Sequence, residues 1–234
     1  MKMNKKIWIM MIALTVFAAG YSDLISVNIM ATGTAAAVAG TVDTNKFTGA
    51  VSDLNWNNCQ LTNIGVNVFS NIGGNGMNVT VTYSATANNA SASAWDGWVN
   101  RNGAAVGNGA PVTVSLENIP YAEYYVIVYV GGYGSGYDAS ISDGTSTKSI
   151  EFMYLASSPS LMEAVTGGTG SYVVFGSTAN PLTSDSLTLT MTRINGSPCF
   201  AGFQIVQIPE PATMSLFLIS GCGIFGSRYI RRYH

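Results

Sequence analysis

Short runs in which apolar residues alternate with small polar ones recur from Leu24 to Ile208, separated by Gly, Asn, Asp, Ser and Pro. Alternation sends successive side chains to opposite faces, the pattern of a half-buried strand. Leu24–Met30 (LISVNIM) is the first such run and Asn78–Ser84 (NVTVTYS) is the cleanest. Pro111–Leu116 leads into a turn at Glu117-Asn118-Ile119-Pro120. Tyr124–Val130 (YYVIVYV) is β-branched or aromatic throughout, which predicts a central strand buried on both faces. Ala139–Ser142, Thr147–Tyr154, Ser171–Gly176, Ser186–Arg193 and Gly202–Ile208 complete the set. Asp143-Gly144 falls between two of them and predicts a hairpin turn.

No stretch of the body carries a convincing helical period, and the best candidate, Ser160–Val165, is short. Many short strands with Gly-rich turns predict an all-β fold: one β-sandwich of jelly-roll type over residues 23–207, with no linker dividing it. A membrane β-barrel fits less well, because its strands should run to about 9–11 residues.

The two ends differ from this body. Lys2, Lys5 and Lys6 precede an apolar run, Ile7–Phe17, followed by Ala18, Ala19 and Gly20. Residues 1–22 therefore read as a secretory signal peptide, cut after Gly20 or Ser22 and too short for a comfortable membrane span. At the other end, residues 211–227 contain no charge, with Glu210 before them and Arg228, Arg231 and Arg232 after. At 1.5 Å per residue such a helix spans roughly 25 Å, enough for a thin bilayer. The basic end then stays cytoplasmic and the body lies outside the membrane.

The order Pro209-Glu210-Pro211, apolar helix, terminal Arg cluster, behind a signal peptide, resembles the PEP-CTERM sorting signal. The resemblance covers residues 208–234. It implies export in a Gram-negative bacterium that makes extracellular polysaccharide. It also implies recognition by an exosortase, a membrane cysteine protease that processes near the Pro-Glu-Pro motif. The same kind of tail is catalogued as an ice-binding-protein C-terminal domain. The body carries a looser resemblance, through Asn55-Trp56-Asn57-Asn58, Ile119–Val130 and Ala201–Val206, to PEP-CTERM proteins with a galactose-binding-like jelly roll. That resemblance suggests carbohydrate as ligand and supplies no activity.

Composition narrows the chemistry. Only 9% of the 234 residues are charged and 47% are hydrophobic, which excludes disorder for most of the chain. Between residues 26 and 208 the basic residues are Lys46, Arg101, Lys148 and Arg193, against ten carboxylates, so 4 − 10 = −6. Such a body repels phosphate backbones, and no nucleic-acid partner is expected. The single histidine is His234, the last residue, which removes histidine bases, Ser-His-Asp triads and histidine metal ligands from the body. Gly134-x-Gly136-x-x-Ala139 lacks the following helix that a dinucleotide fingerprint needs. Asp138 and Asp143 do not have EF-hand spacing. Neither a cofactor, a metal nor a catalytic set is expected.

The candidate ligand-binding residues are aromatic and uncrowded by charge: Trp95, Asp96, Trp98 and Arg101 in a polar stretch, and Tyr133 and Tyr137 around a Gly-rich loop. Flat rings stack on sugar faces while Asp and Arg hydrogen-bond hydroxyls; the same tryptophans equally suit packing at the sandwich ends. Asp96 with Glu123 or Asp138 is the conceivable carboxylate pair of a glycan-active hydrolase, the alternative function. Thr188, Thr190 and Thr192 share one strand face, an ordinary solvent face or an array facing ice or polysaccharide. Cys59 and Cys199 lie in the exported body, either as a disulfide, if the first and last strands are neighbours, or as buried thiols. The expectation is a non-enzymatic envelope or matrix protein in contact with extracellular polysaccharide. A purely structural or ice-binding surface protein is the other alternative.

Overall fold

The computed structural model describes residues 23–30, 49–62, 65–83, 104–105, 111–131, 136–152, 161–165, 167–196 and 198–209. Among them there is no helix, and the strands form two sheets, consistent with a β-sandwich. The first sheet contains β1 (Leu24–Met30), β2 (Trp56–Gln60), β5 (Ala104–Ala105), β7 (Tyr124–Gly131), β11 (Tyr172–Phe175) and β13 (Cys199–Gln207). The second contains β3 (Gly65–Ile72), β4 (Met77–Tyr83), β6 (Val112–Glu117), β8 (Tyr137–Ser142), β9 (Thr147–Phe152), β10 (Thr169–Gly170) and β12 (Ser186–Arg193).

In the first sheet the order is β11-β7-β13-β1-β2, with β5 also on β13. The earliest and latest strands of the body pair antiparallel, Leu24 opposite Val206 and Val27 opposite Phe203. The second sheet runs β10-β9-β8-β12-β6-β4-β3. Facing residues of both sheets make one core: Val27, Val126, Val128, Phe203 and Ile205 from the first, Val79, Val114, Ile141, Leu189 and Met191 from the second.

Alternation accounts for most of these assignments. On β12, Leu189 and Met191 are buried, while Thr188 and Thr192 are exposed. β7 is buried almost throughout because it is interior to its sheet and covered on both faces. Its outward side chains, Ile127 and Tyr129, join a second apolar cluster with Trp56, Ala201 and Val206. The Ser160–Val165 stretch is not helical where described: Glu163 forms an isolated bridge to Tyr172. Four strands were not anticipated, β2, β3, β5 and β10; the latter two have two residues each. The expected signal peptide and the apolar segment 211–227 lie outside the described residues.

Candidate functional site

Most of the residues singled out from sequence, namely Trp95, Asp96, Trp98, Arg101, Tyr133, Glu210, Pro211, Arg228, Arg231 and Arg232, lie outside the described residues. Pro209 is exposed just past the end of β13. Tyr137 is half-buried against the core cluster. Its ring leaves so little room over Gly196 that a β-carbon there would sit 2.1 Å from Tyr137 Cδ1.

Cys59 and Cys199 are both free and buried. The bridge considered from sequence is not formed, for a topological reason. The first and last strands are indeed neighbours, but Cys59 is on β2, and β1 lies between β2 and β13. Two strand spacings amount to about 9–10 Å, beyond the reach of a disulfide. Cys59 also joins the inter-sheet core beside its register partner Ile29. Cys199 precedes the core residue Phe200 on β13 and so projects to the opposite face.

The described residues do form a cleft of about 470 Å³ on the outer face of the first sheet. Antiparallel register on β7 and β11 sets Ile127 opposite Val174 and Tyr129 opposite Tyr172. Ile127 and Val174 line its floor, and Tyr125 and Tyr172 contribute aromatic walls. Ala50 and Val51 close one side, from a turn at residues 49–52. Lys148 and Glu163 bring one positive and one negative group to the lining. Lys148 arrives from β9 of the other sheet, its ammonium 5.9 Å from the centroid of the Phe175 ring.

The turn that walls this cleft is fixed by a buried polar network. Gln204 Nε2 donates to Val51 O at 2.7 Å and to Ser26 Oγ at 3.0 Å. Val51 N donates back to Gln204 Oε1 at 3.2 Å. The Tyr129 hydroxyl also donates to Gln204 Oε1 and accepts from Ala50 N. Tyr129 packs its ring against Tyr172, with centroids 5.8 Å apart, so the network also seats a wall of the cleft. The Tyr172 phenol is raised above its ordinary value, first by burial, then by the negative charge of Glu163, then by Tyr125. Burial raises the Tyr125 phenol likewise. Both phenols stay protonated as donors at neutral pH.

A second surface lies on the far side of the molecule. Thr147, Ser142, Thr190, Thr113 and Thr82 stand opposite one another across β9, β8, β12, β6 and β4. Beside that row lie Thr188, Ser115 and Thr80, with the Thr188 and Ser115 hydroxyls 3.4 Å apart. The three threonines of β12 were the sequence signal for this face. The cleft had none, because its walls come from β7, β11 and β9 and meet only through non-local pairing. No family model, no curated protein and no solved structure matches the chain.

Proposed function

We propose that this is an exported, non-catalytic β-sandwich protein that holds a neutral segment of extracellular polysaccharide in the cleft between Tyr125 and Tyr172. The cleft is the single observation that carries the reading. Tyrosine rings offer flat apolar faces to sugar C–H groups, while a carboxylate, an ammonium and two phenols exchange hydrogen bonds with ring hydroxyls. One positive and one negative side chain leave the lining without net charge, which suits an uncharged sugar. The hydrolase alternative requires two carboxyl groups about 5–9.5 Å apart. Among the described lining residues Glu163 supplies one, so binding is the better-supported reading.

In this proposal the signal over residues 1–22 exports the chain. The segment 211–227 holds a precursor in the inner membrane, and an exosortase-type protease processes it near Pro209-Glu210-Pro211 on the way to the cell surface or matrix. The hydroxyl face favours a second reading, a structural matrix or ice-contacting surface. Sheet twist of about 20–25° between neighbouring strands works against registry with any planar lattice, which ranks this reading lower.

Calorimetric titration of the full chain with neutral oligosaccharides from the host exopolysaccharide tests the main reading. Saturable binding that is lost in Tyr125→Ala supports it. Absence of binding, or binding indifferent to that substitution, removes the cleft. Release of reducing sugar would instead favour the hydrolase. Mass spectrometry of the mature protein, locating both ends, tests the sorting route.

A further inference from the structure

We infer that Asp53 and Asp23, at the entry of β2 and β1 into the first sheet, bind a divalent cation whose chemistry is that of calcium. Ser26 opposite Trp56 is the first pair of the parallel ladder between these strands, and an aspartate stands three residues ahead of each. Asp53 is only 8% exposed. Its Oδ1 accepts the Asn55 N–H at 2.8 Å, which fixes the carboxylate. Its Oδ2 is buried and accepts from no group. A buried carboxylate oxygen without a donor is costly, and buried charges in proteins are paired or bound to metal.

The groups around it are oxygen ligands. Asp23 is exposed, and its backbone is tied to the last strand: its C=O accepts the Gln207 N–H at 3.0 Å and its N–H donates to Gln207 Oε1 at 3.4 Å. Tyr121 is buried against the inter-sheet core. Its phenol is raised by burial and then by the charges of Asp23 and Asp53, which brings both carboxylates near one hydroxyl. Among the described residues no three His, Cys, Asp or Glu side chains converge, which argues against zinc, whose sites take three or four such ligands. Calcium fills about six to eight positions with carboxylate, carbonyl and water oxygens, and it tolerates irregular geometry where magnesium demands a near-ideal octahedron. One buried and one exposed carboxylate suit an ion that keeps part of its water. Bound there, the ion ties the end of the turn at residues 49–52 to the start of β1. The inference does not depend on what the cleft binds.

The test is thermal unfolding of the full chain in detergent, first with chelator and then with calcium added stepwise to millimolar levels at constant ionic strength. The expected result is a saturable rise of several degrees with a midpoint at about 10⁻⁴–10⁻³ M, the range of extracellular calcium modules. Asp53→Asn keeps an oxygen for the Asn55 N–H and removes the charge. It should melt no lower than wild type in chelator and lose the calcium response, while Asp23→Asn should weaken the midpoint several-fold. Terbium luminescence excited through nearby aromatic rings gives a second readout: emission that calcium competes away, several-fold weaker in Asp53→Asn. No calcium response in either measurement, an equal response to magnesium, or a response that survives Asp53→Asn overturns the proposal.

Discussion

Tyr129 and Gln204, on neighbouring strands of the first sheet, share one hydrogen bond through which the turn at residues 49–52 is held to the sandwich: the tyrosine hydroxyl donates to Gln204 Oε1 while accepting the Ala50 N–H at 2.6 Å. Gln204 is fully buried, and its amide also bonds Val51 through both N–H and C=O. Removing it leaves several buried partners unsatisfied at once. Gln204→Leu should cost about 2–4 kcal/mol in urea unfolding, and Tyr129→Phe about 1–3. A double-mutant cycle should return a coupling near 1 kcal/mol, since the two groups act in one network. Additive losses would mean that the turn is held by other contacts.

Gly49 approaches that network more closely than any side chain would allow. Its φ is +99°, and a β-carbon there would lie 2.6 Å from Gln204 Nε2. Gly74, at φ +73°, has open space around it. Gly74→Ala should therefore cost only backbone strain, roughly 1–2 kcal/mol. Gly49→Ala should cost clearly more, and the excess should shrink in a Gln204→Ala background. Equal melting shifts for the two alanines would show that the turn moves freely away from the sheet.

How far this architecture could be seen in advance is clearest in individual strands. β1 and β12 have the boundaries that alternation assigns, and β7 is buried on both faces as its unbroken apolar run requires. β2 escaped because WNNCQ is rich in amides whose value is structural: Asn57 donates to Ser26 O at 2.9 Å and accepts from Gly73 N at 3.1 Å. β3 escaped because its alternation is inverted. Its valines face solvent while Asn67 is buried and accepts the Thr62 N–H at 2.9 Å. The cleft was invisible for another reason. Tyr125 and Tyr172 were both inside recognised strands, but only the β11–β7 pairing makes them walls of one space, and Lys148 reaches it from the other sheet.

The hairpin between β8 and β9 was foreseen from Asp143-Gly144, and the geometry shows why aspartate is needed there. Asp143 Oδ1 accepts from Thr145 N at 2.9 Å and Ser146 N at 2.6 Å, and Gly144 takes φ +87°. Asp143→Ala removes the side-chain half of that turn and should lower stability by about 1 kcal/mol, with Asp143→Asn retaining much of it. Thermal unfolding of the two variants side by side decides; equal losses would assign the effect to charge rather than to turn geometry.

Buried acids should make the fold sensitive to alkali. Burial pushes the Cys59 and Cys199 thiols up to about 12 from an ordinary 9.0. Tyr121 is pushed up to about 12 by burial and the nearby charges of Asp23 and Asp53, and Tyr124 to about 12 by burial and Asp185. The folded chain keeps protons that the unfolded chain releases, so this stability is fully present below about pH 9 and is lost as pH rises towards 12. Each thiol should contribute a slope of up to about 1.4 kcal/mol per pH unit in that window. Urea midpoints at neutral pH and at successive steps above pH 9 should fall, less so in Cys59→Ala and Cys199→Ala. Both thiols should also resist alkylation until the chain unfolds; rapid labelling of the native protein would contradict their burial.

Glu163 offers the sharpest test of the cleft chemistry. It carries the carboxylate among the described lining residues, and its charge is the second cause, after burial, of the raised Tyr172 phenol. Glu163→Gln keeps the shape and removes the charge. A charged hydrogen bond to a sugar hydroxyl is worth about 1.5–3 kcal/mol, so affinity for a neutral oligosaccharide should fall about tenfold or more. The Tyr172 phenol should at the same time titrate at lower pH, which a difference spectrum against Tyr172→Phe can resolve. The two readouts separate two ideas. A shifted phenol with unchanged affinity would keep Glu163 beside Tyr172 and place the sugar elsewhere. An unshifted phenol would mean that the carboxylate does not sit where the cleft requires it.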